Sequence, residues 1–202
     1  MWFHVDGAYG LAAALAASTR HLFEGVAYAD SIIVDPHKWL FAPFDACALI
    51  YREPEIARIA HTQHGEYLEP LNKPGEWNPS DYAINLTRRV RGLPLWFSLA
   101  TYGAAAYRDA IEQNIALAKR IAGEIASRDY LTLVREPELS IVVFERDGWS
   151  PAQYDDWAQL LLDKQLALVL PSSLNGRTHT RFAIVNPLTT YELLVDILDT
   201  MK

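Results

Sequence analysis

Lys38 and His37 stand next to each other in the stretch Ser31-Ile-Ile-Val-Asp-Pro-His-Lys-Trp-Leu40. A lysine amine that loses its proton, through partial desolvation and a nearby cation, is a nucleophile able to form an imine with an aldehyde. The element that must position it is the run Ile32-Ile33-Val34, β-branched and apolar, which reads as a buried strand. Pro36 ends that strand, because proline cannot donate to a central ladder. The amine and the imidazole therefore lie just beyond a strand end, the edge of an α/β sheet where ligands bind. A second candidate is Asp6, at the end of the strand predicted over Trp2–Val5, and it precedes Lys38 by 32 residues. That spacing suits one βαβ unit, with the alanine- and leucine-rich Leu11–Ala17 as its crossover helix. A right-handed crossover puts both strand ends on one edge of a parallel sheet.

An aspartate that holds a protonated pyridine nitrogen and a lysine that carries an aldehyde as an imine are together what pyridoxal phosphate asks of a protein. The pair His4-Val-Asp-Gly-Ala-Tyr9 and Asp35-Pro-His-Lys-Trp39 resembles the group II pyridoxal-phosphate decarboxylases, with the aromatic-L-amino-acid decarboxylase type nearest. The likeness continues through Phe44-Asp-Ala-Cys47, Thr87-Arg-Arg-Val-Arg-Gly92 and Leu95-Trp-Phe97, and thins after about Ala126. It implies the C-terminal part of an aspartate-aminotransferase-type α/β fold, mostly parallel, followed by a small α+β domain. It also implies pyridoxal 5'-phosphate as cofactor. Lys38 would carry the imine and Asp6 would hold the pyridine nitrogen. His37 would contact the phosphate, and Ala8 would lie under the ring, where a larger side chain collides. Asp35 departs from the asparagine expected there, and a carboxylate near a phosphate is unfavourable unless it is paired or turned away.

The stretch from His61 to Ser80 is broken by Gly65, Pro70, Pro74, Gly75 and Pro79 and reads as a long loop. The resemblance makes it the family's mobile catalytic loop, with Tyr67 as the proton donor to the carbon left bare by departing carbon dioxide. A related branch that makes aldehydes carries phenylalanine there. The resemblance thus implies decarboxylation of an L-amino acid, aromatic by likeness only, in a homodimer with its sites at the subunit interface. The alternatives are an aldehyde synthase, a glutamate-type decarboxylase or a non-catalytic remnant. Complete family members are much longer, so the likeness implies a truncated product, one part of a split gene, or a fragment, inactive or nearly so by itself. Residues 1–94 are expected to belong to the large cofactor-binding domain, and 95–202 to the linking helix and small domain.

At 202 residues the chain has room for one large domain or two small units. Half of the residues are apolar and 21% are charged, an ordinary globular balance. A net charge of −7 argues against a nucleic-acid or anionic-membrane partner. The single cysteine, Cys47, rules out an internal disulfide and fits a reducing, cytoplasmic setting. No apolar run is long enough to span a bilayer. His61 and His64 lack the companions that would make a metal site. Arg88, Arg89 and Arg91 are either a solvated basic surface or an ion-pair or dimer contact near the site.

Further elements follow from pattern. Ala46–Tyr51 is a strand whose short connection from Val34 makes it antiparallel to its neighbour. Helices are expected from Glu53 to Ile59, from Leu95 through Tyr102, and over Tyr107–Ser127, where Ile111, Ile115, Ala118, Ile121, Ala122 and Ile125 form an apolar stripe. Strands are expected at Tyr130–Val134, Ser140–Glu145, Ala167–Leu170 and Thr180–Val185, and a polar loop at Ser172–Thr178. Ser150-Pro151 opens a helix to about Lys164, and Thr189-Thr-Tyr-Glu192 reads as the capping box of the last helix.

Overall fold

The computed structural model describes residues 1–68 and 76–202. The chain forms two compact units, Met1–Leu11 with Phe23–Thr101, and Ala12–Leu22 with Tyr102–Lys202. The fold is α/β, as the sequence reading anticipated.

The first unit is built on a three-stranded sheet of β1 (His4–Asp6), β2 (Ser31–Val34) and β3 (Ala48–Tyr51), in that order. β1 runs parallel to β2, with Asp6 opposite Ile33. β3 runs antiparallel to β2, with Val34 opposite Ala48, as the short connection requires. Ser31, buried at the start of β2, ties the strands together: its Oγ accepts from Trp2 Nε1 at 2.9 Å and lies 2.7 Å from His4 Nδ1. Trp39 is fully buried and stacks on Tyr9 with ring centroids 5.0 Å apart. Helix α1 (Pro54–His61) begins with proline at its first position, where the missing N–H costs nothing.

The connection between β1 and β2 differs from expectation. No α-helix forms there; instead three short 3-10 turns occupy Gly10–Leu15, Arg20–Phe23 and Val26–Tyr28. Gly25, at φ 90°, separates the second of these turns from the third. The part that belongs to the second unit is anchored by Glu112, which accepts from Ser18 N at 3.0 Å and from Ser18 Oγ at 2.5 Å.

Helix α2 (Leu93–Ala126) is longer than either predicted segment and is interrupted at Gly103, whose φ of 77° only glycine enters freely. Beyond that break the predicted stripe is the buried face: Ile111, Ile121 and Ile125 are fully enclosed. It joins β4 (Leu131–Arg135), β5 (Ile141–Arg146), α3 (Pro151–Asp163), β7 (Arg177–Ala183) and α4 (Tyr191–Asp199) around one core, with β6 (Pro171–Leu174) at the sheet edge. The antiparallel sheet has the order β4-β5-β7-β6. Val142 and Phe144 alternate inward on β5, and Phe144 meets Phe182 of β7 with centroids 4.9 Å apart.

Two strand expectations fail here. Ala167–Leu170 is not a strand, and the supposed loop Ser172–Thr178 is a hairpin in which β6 pairs with β7. Leu174 faces Arg177 across Asn175-Gly176, and those two residues take φ 52° and 77°. Positive φ at both central positions is what a tight hairpin with matching strand twist needs, and Asn-Gly supplies it. The cap of α4 is also displaced by one residue: the Thr190 side chain, not that of Thr189, accepts from Leu193 N at 3.2 Å. Among the described residues no helix is long and apolar enough to cross a membrane.

Candidate active site at the β1–β2 edge

The site begins with a close approach of backbone. Gly7 N donates to both Val5 O (3.1 Å) and Ile33 O (3.0 Å), which closes the end of β1 against β2. A Cβ at position 7 would come within 2.9 Å of Ile33 O and 2.5 Å of the Leu11 Cβ, so only glycine fits. Asp6, exposed, then turns its Oδ1 onto Ala8 N at 3.1 Å. The Ala8 carbonyl in turn accepts from Asp35 N at 3.0 Å. One residue thus links the two chemical motifs: its N–H holds the Asp6 carboxylate and its C=O holds the chain that leads to Lys38.

After Pro36 the chain turns, and Lys38 N donates to Asp35 O at 3.0 Å. The Lys38 side chain is 44% exposed, and its Nζ lies 2.8 Å from Oδ2 of Asp35, whose side chain is only 14% exposed. The antiparallel register explains the next contact. With Val34 opposite Ala48, Asp35 comes to lie beside Cys47. Desolvation pushes the Asp35 carboxyl up. The hydrogen bonds from Lys38 and Cys47, with the positive charge nearby, outweigh it and hold the group below the usual carboxylate range. The Cys47 thiol is pushed up by desolvation first, then by the carboxylate that accepts its proton.

His37 is half-buried, and its Nδ1 lies 2.6 Å from Ala46 O and 3.2 Å from Ala46 N. Phe44 packs edge-on against the imidazole at 4.8 Å. Both polar contacts use Nδ1, so the ring is oriented by the backbone of the segment that leads into β3.

Tyr67 is on a separate element, the 3-10 turn Glu66–Leu68, and its side chain is 75% exposed. It lies outside the set of bonds that joins Asp6, Ala8, Asp35 and Lys38. Residues 69–75 of the expected catalytic loop fall outside the described residues. The arginines resolve into contacts: Arg88 donates to Pro79 O, and Arg89 and Arg91 pair with Asp45. Among the described residues no group of three or more His, Cys, Asp or Glu side chains could hold a metal ion.

The sequence reading missed three parts of this arrangement. Gly7 was not singled out, although its place between a strand end and Ala8 is a signal for close approach. The Tyr9–Trp39 stack was not seen. Cys47 is legible as the sole cysteine, as the end of Phe44-Asp-Ala-Cys47 and as part of a strand, but its place beside Asp35 depends on strand register and not on spacing. In chemical terms, the edge presents an exposed carboxylate, an exposed primary amine and an oriented imidazole. That set of groups suits a ligand with a basic ring nitrogen, an aldehyde and an anionic tail.

Comparison with known proteins bears on the same edge. Residues 1–146 match the pyridoxal-dependent decarboxylase conserved domain. The chain is 29% identical over 211 residues to an aromatic-L-amino-acid decarboxylase of Bacillus atrophaeus, covering all of this chain and 44% of that protein. It is 32% identical over 185 residues to a tryptophan decarboxylase of Camptotheca acuminata, covering 90% of this chain and 36% of that protein. Among solved structures, Oryza sativa TDC with PLP and tryptamine superposes with a TM-score of 0.87 at 26% identity, over 99% of this chain and 43% of that one. The chain therefore spans less than half the length of these relatives.

Proposed function

Because the chain belongs to the pyridoxal-dependent decarboxylase family, we propose that its β1–β2 edge binds pyridoxal 5'-phosphate and serves decarboxylation of an aromatic L-amino acid to the amine and carbon dioxide. The observation that carries this reading is the link through Ala8, which ties the Asp6 carboxylate to the chain segment bearing Lys38. The available groups fit the cofactor. Lys38 offers the primary amine that bonds its aldehyde. Asp6 offers the carboxylate that keeps a ring nitrogen protonated, and His37 offers an imidazole for the phosphate. Ala8 leaves room for a flat ring. Pyridoxal phosphate, when bound, supplies an electron-withdrawing ring that takes up the pair left by departing carbon dioxide.

The roles of this chain's own residues follow. Asp6 holds positive charge at the ring nitrogen throughout, since a carboxylate beside a cation favours the charged form. Lys38 would hold the cofactor by its aldehyde, and its amine would be the exchangeable tie that yields to a substrate amine. Tyr67 delivers a proton to the substrate carbon, and its phenolic O–H favours the amine product over the aldehyde. Residues 1–94 carry this edge, and 95–202 carry the linking helix and small unit. The working assembly is a cytoplasmic homodimer whose sites lie at the subunit interface. The chain spans less than half the length of these relatives, so the activity is proposed for a whole protein that carries this edge.

Cofactor capture tests the proposal. The chain is mixed with pyridoxal phosphate, reduced with borohydride and mapped by mass spectrometry beside Lys38→Ala. A single adduct on Lys38 that is lost in the variant is the expected result. Labelling scattered over surface lysines would sink it. Where capture succeeds, release of amine and carbon dioxide without ammonia or peroxide from aromatic amino acids distinguishes the decarboxylase from an aldehyde synthase.

A further inference from the structure

We propose that Asp35 is a positioning residue for Lys38: its carboxylate grips the Lys38 ammonium at the sheet edge and restrains the amine from reacting until a ligand displaces it. The proposal rests on the reading of Lys38 as the reactive amine and goes beyond it, because it concerns how the chain controls that amine with nothing bound.

Three observations carry it. The pair is short, 2.8 Å, and set within one turn, three residues apart, with Lys38 N also donating to Asp35 O. Asp35 is itself immobilised. Its N–H is held by the Ala8 carbonyl, its C=O accepts from Lys38 N, and the β2–β3 register sets Cys47 beside its carboxylate. The exposure is unequal: the carboxylate is largely enclosed while the lysine remains open to solvent. An ion pair between two mobile surface side chains contributes little, because both must be ordered to form it. Here one member is already fixed, so the cost of ordering falls on Lys38 alone, and its amine is kept at the strand edge. An ammonium has no lone pair to offer a carbonyl carbon. Any reaction at Lys38 must first take its proton to solvent and break the bond to Asp35.

The test needs no cofactor, so its failure and the failure of cofactor capture are read separately. The full chain is treated with a water-soluble amine-acylating ester at fixed pH. Labelling of Lys38 is then measured by mass spectrometry as a ratio to exposed Lys164 in the same molecule. In Asp35→Asn, which keeps the shape and removes the charge, the ratio is expected to rise about two- to fivefold. In the unaltered chain the ratio is expected to climb as salt is raised to about 1 M, where charges are screened within about 3 Å. A merely structural Asp35 would give no salt response. A folded Asp35→Asn whose ratio is unchanged or lower overturns the proposal. If that variant does not fold, a flat salt series on the unaltered chain overturns it.

Discussion

The two units hold themselves together by different means. In the second, large apolar side chains are enclosed: Phe144, Ile121, Ile125, Leu161, Ile197 and Leu198 are at or near zero exposure around one core. In the first, Leu49 and Ile50 of the sheet that carries the chemistry, and Trp2 and Phe3 just before it, are substantially exposed. What fixes its reactive edge is close backbone contact and short polar bonds: Gly7 to Ile33, Asp6 to Ala8, Ala8 to Asp35. Stability resides where apolar area is removed from water, and reactivity resides where it is not. A side chain that must meet a ligand cannot also be locked inside a core.

The contrast can be broken by substitution. The largest effect is expected from Phe144→Ala, which empties a fully buried site beside Phe182 and costs about 3–5 kcal/mol of folding stability. Urea unfolding measures that loss. Next comes Gly7→Ala, which forces a methyl against Ile33 O and the Leu11 side chain and costs about 1–3 kcal/mol. Unlike the core variant, it should also lower borohydride-trapped cofactor at Lys38 under conditions where the chain is folded. Equal loss of capture in both variants would erase the distinction.

Acid sharpens the comparison. Hydrogen bonds from Tyr191 and then Arg128 depress the carboxyl of Glu124 in the second unit, and those from Ser18 depress Glu112. A group whose folded value is lowered contributes stability that is present above its unfolded value, about 4.3 for glutamate, and is lost as pH falls through the folded value. Unfolding followed from pH 6 downward should therefore show declining stability, and Glu124→Gln should make that decline shallower. The smallest effect concerns Cys47. Burial and the Asp35 carboxylate push its thiol up, so alkylation by iodoacetamide near pH 8 should be slower than for a free cysteine, and Asp35→Asn should speed it.

Much of the second unit was readable in advance because its signals are periodic. The stripe from Ile111 to Ile125 repeats at helical spacing, and Ser150-Pro151 marks a helix start: Gln153 Oε1 accepts from Ser150 N at 2.9 Å. The hairpin is hard to read because Ser172–Thr178 is polar but for Leu174, and that polarity masks the Asn175-Gly176 pair that specifies the turn. In the first unit, strand ends and direction were legible from Pro36 and from connection length. The contacts that matter at the site were not. Asp35 and Cys47 are twelve residues apart and meet only because Val34 faces Ala48, and one residue of slip would turn Cys47 to the other face.

The bridge at Ala8 carries a consequence for variation. Both of its ties, to Asp6 and to Asp35, use main-chain atoms that nineteen of the twenty amino acids possess. A larger side chain at this position would leave the two motifs joined and yet crowd the place proposed for a flat ring. Proline alone lacks the N–H and would cut the link to Asp6. Position 8 thus divides two duties: its main chain joins the two motifs, and its small side chain keeps the room that a flat ring would need.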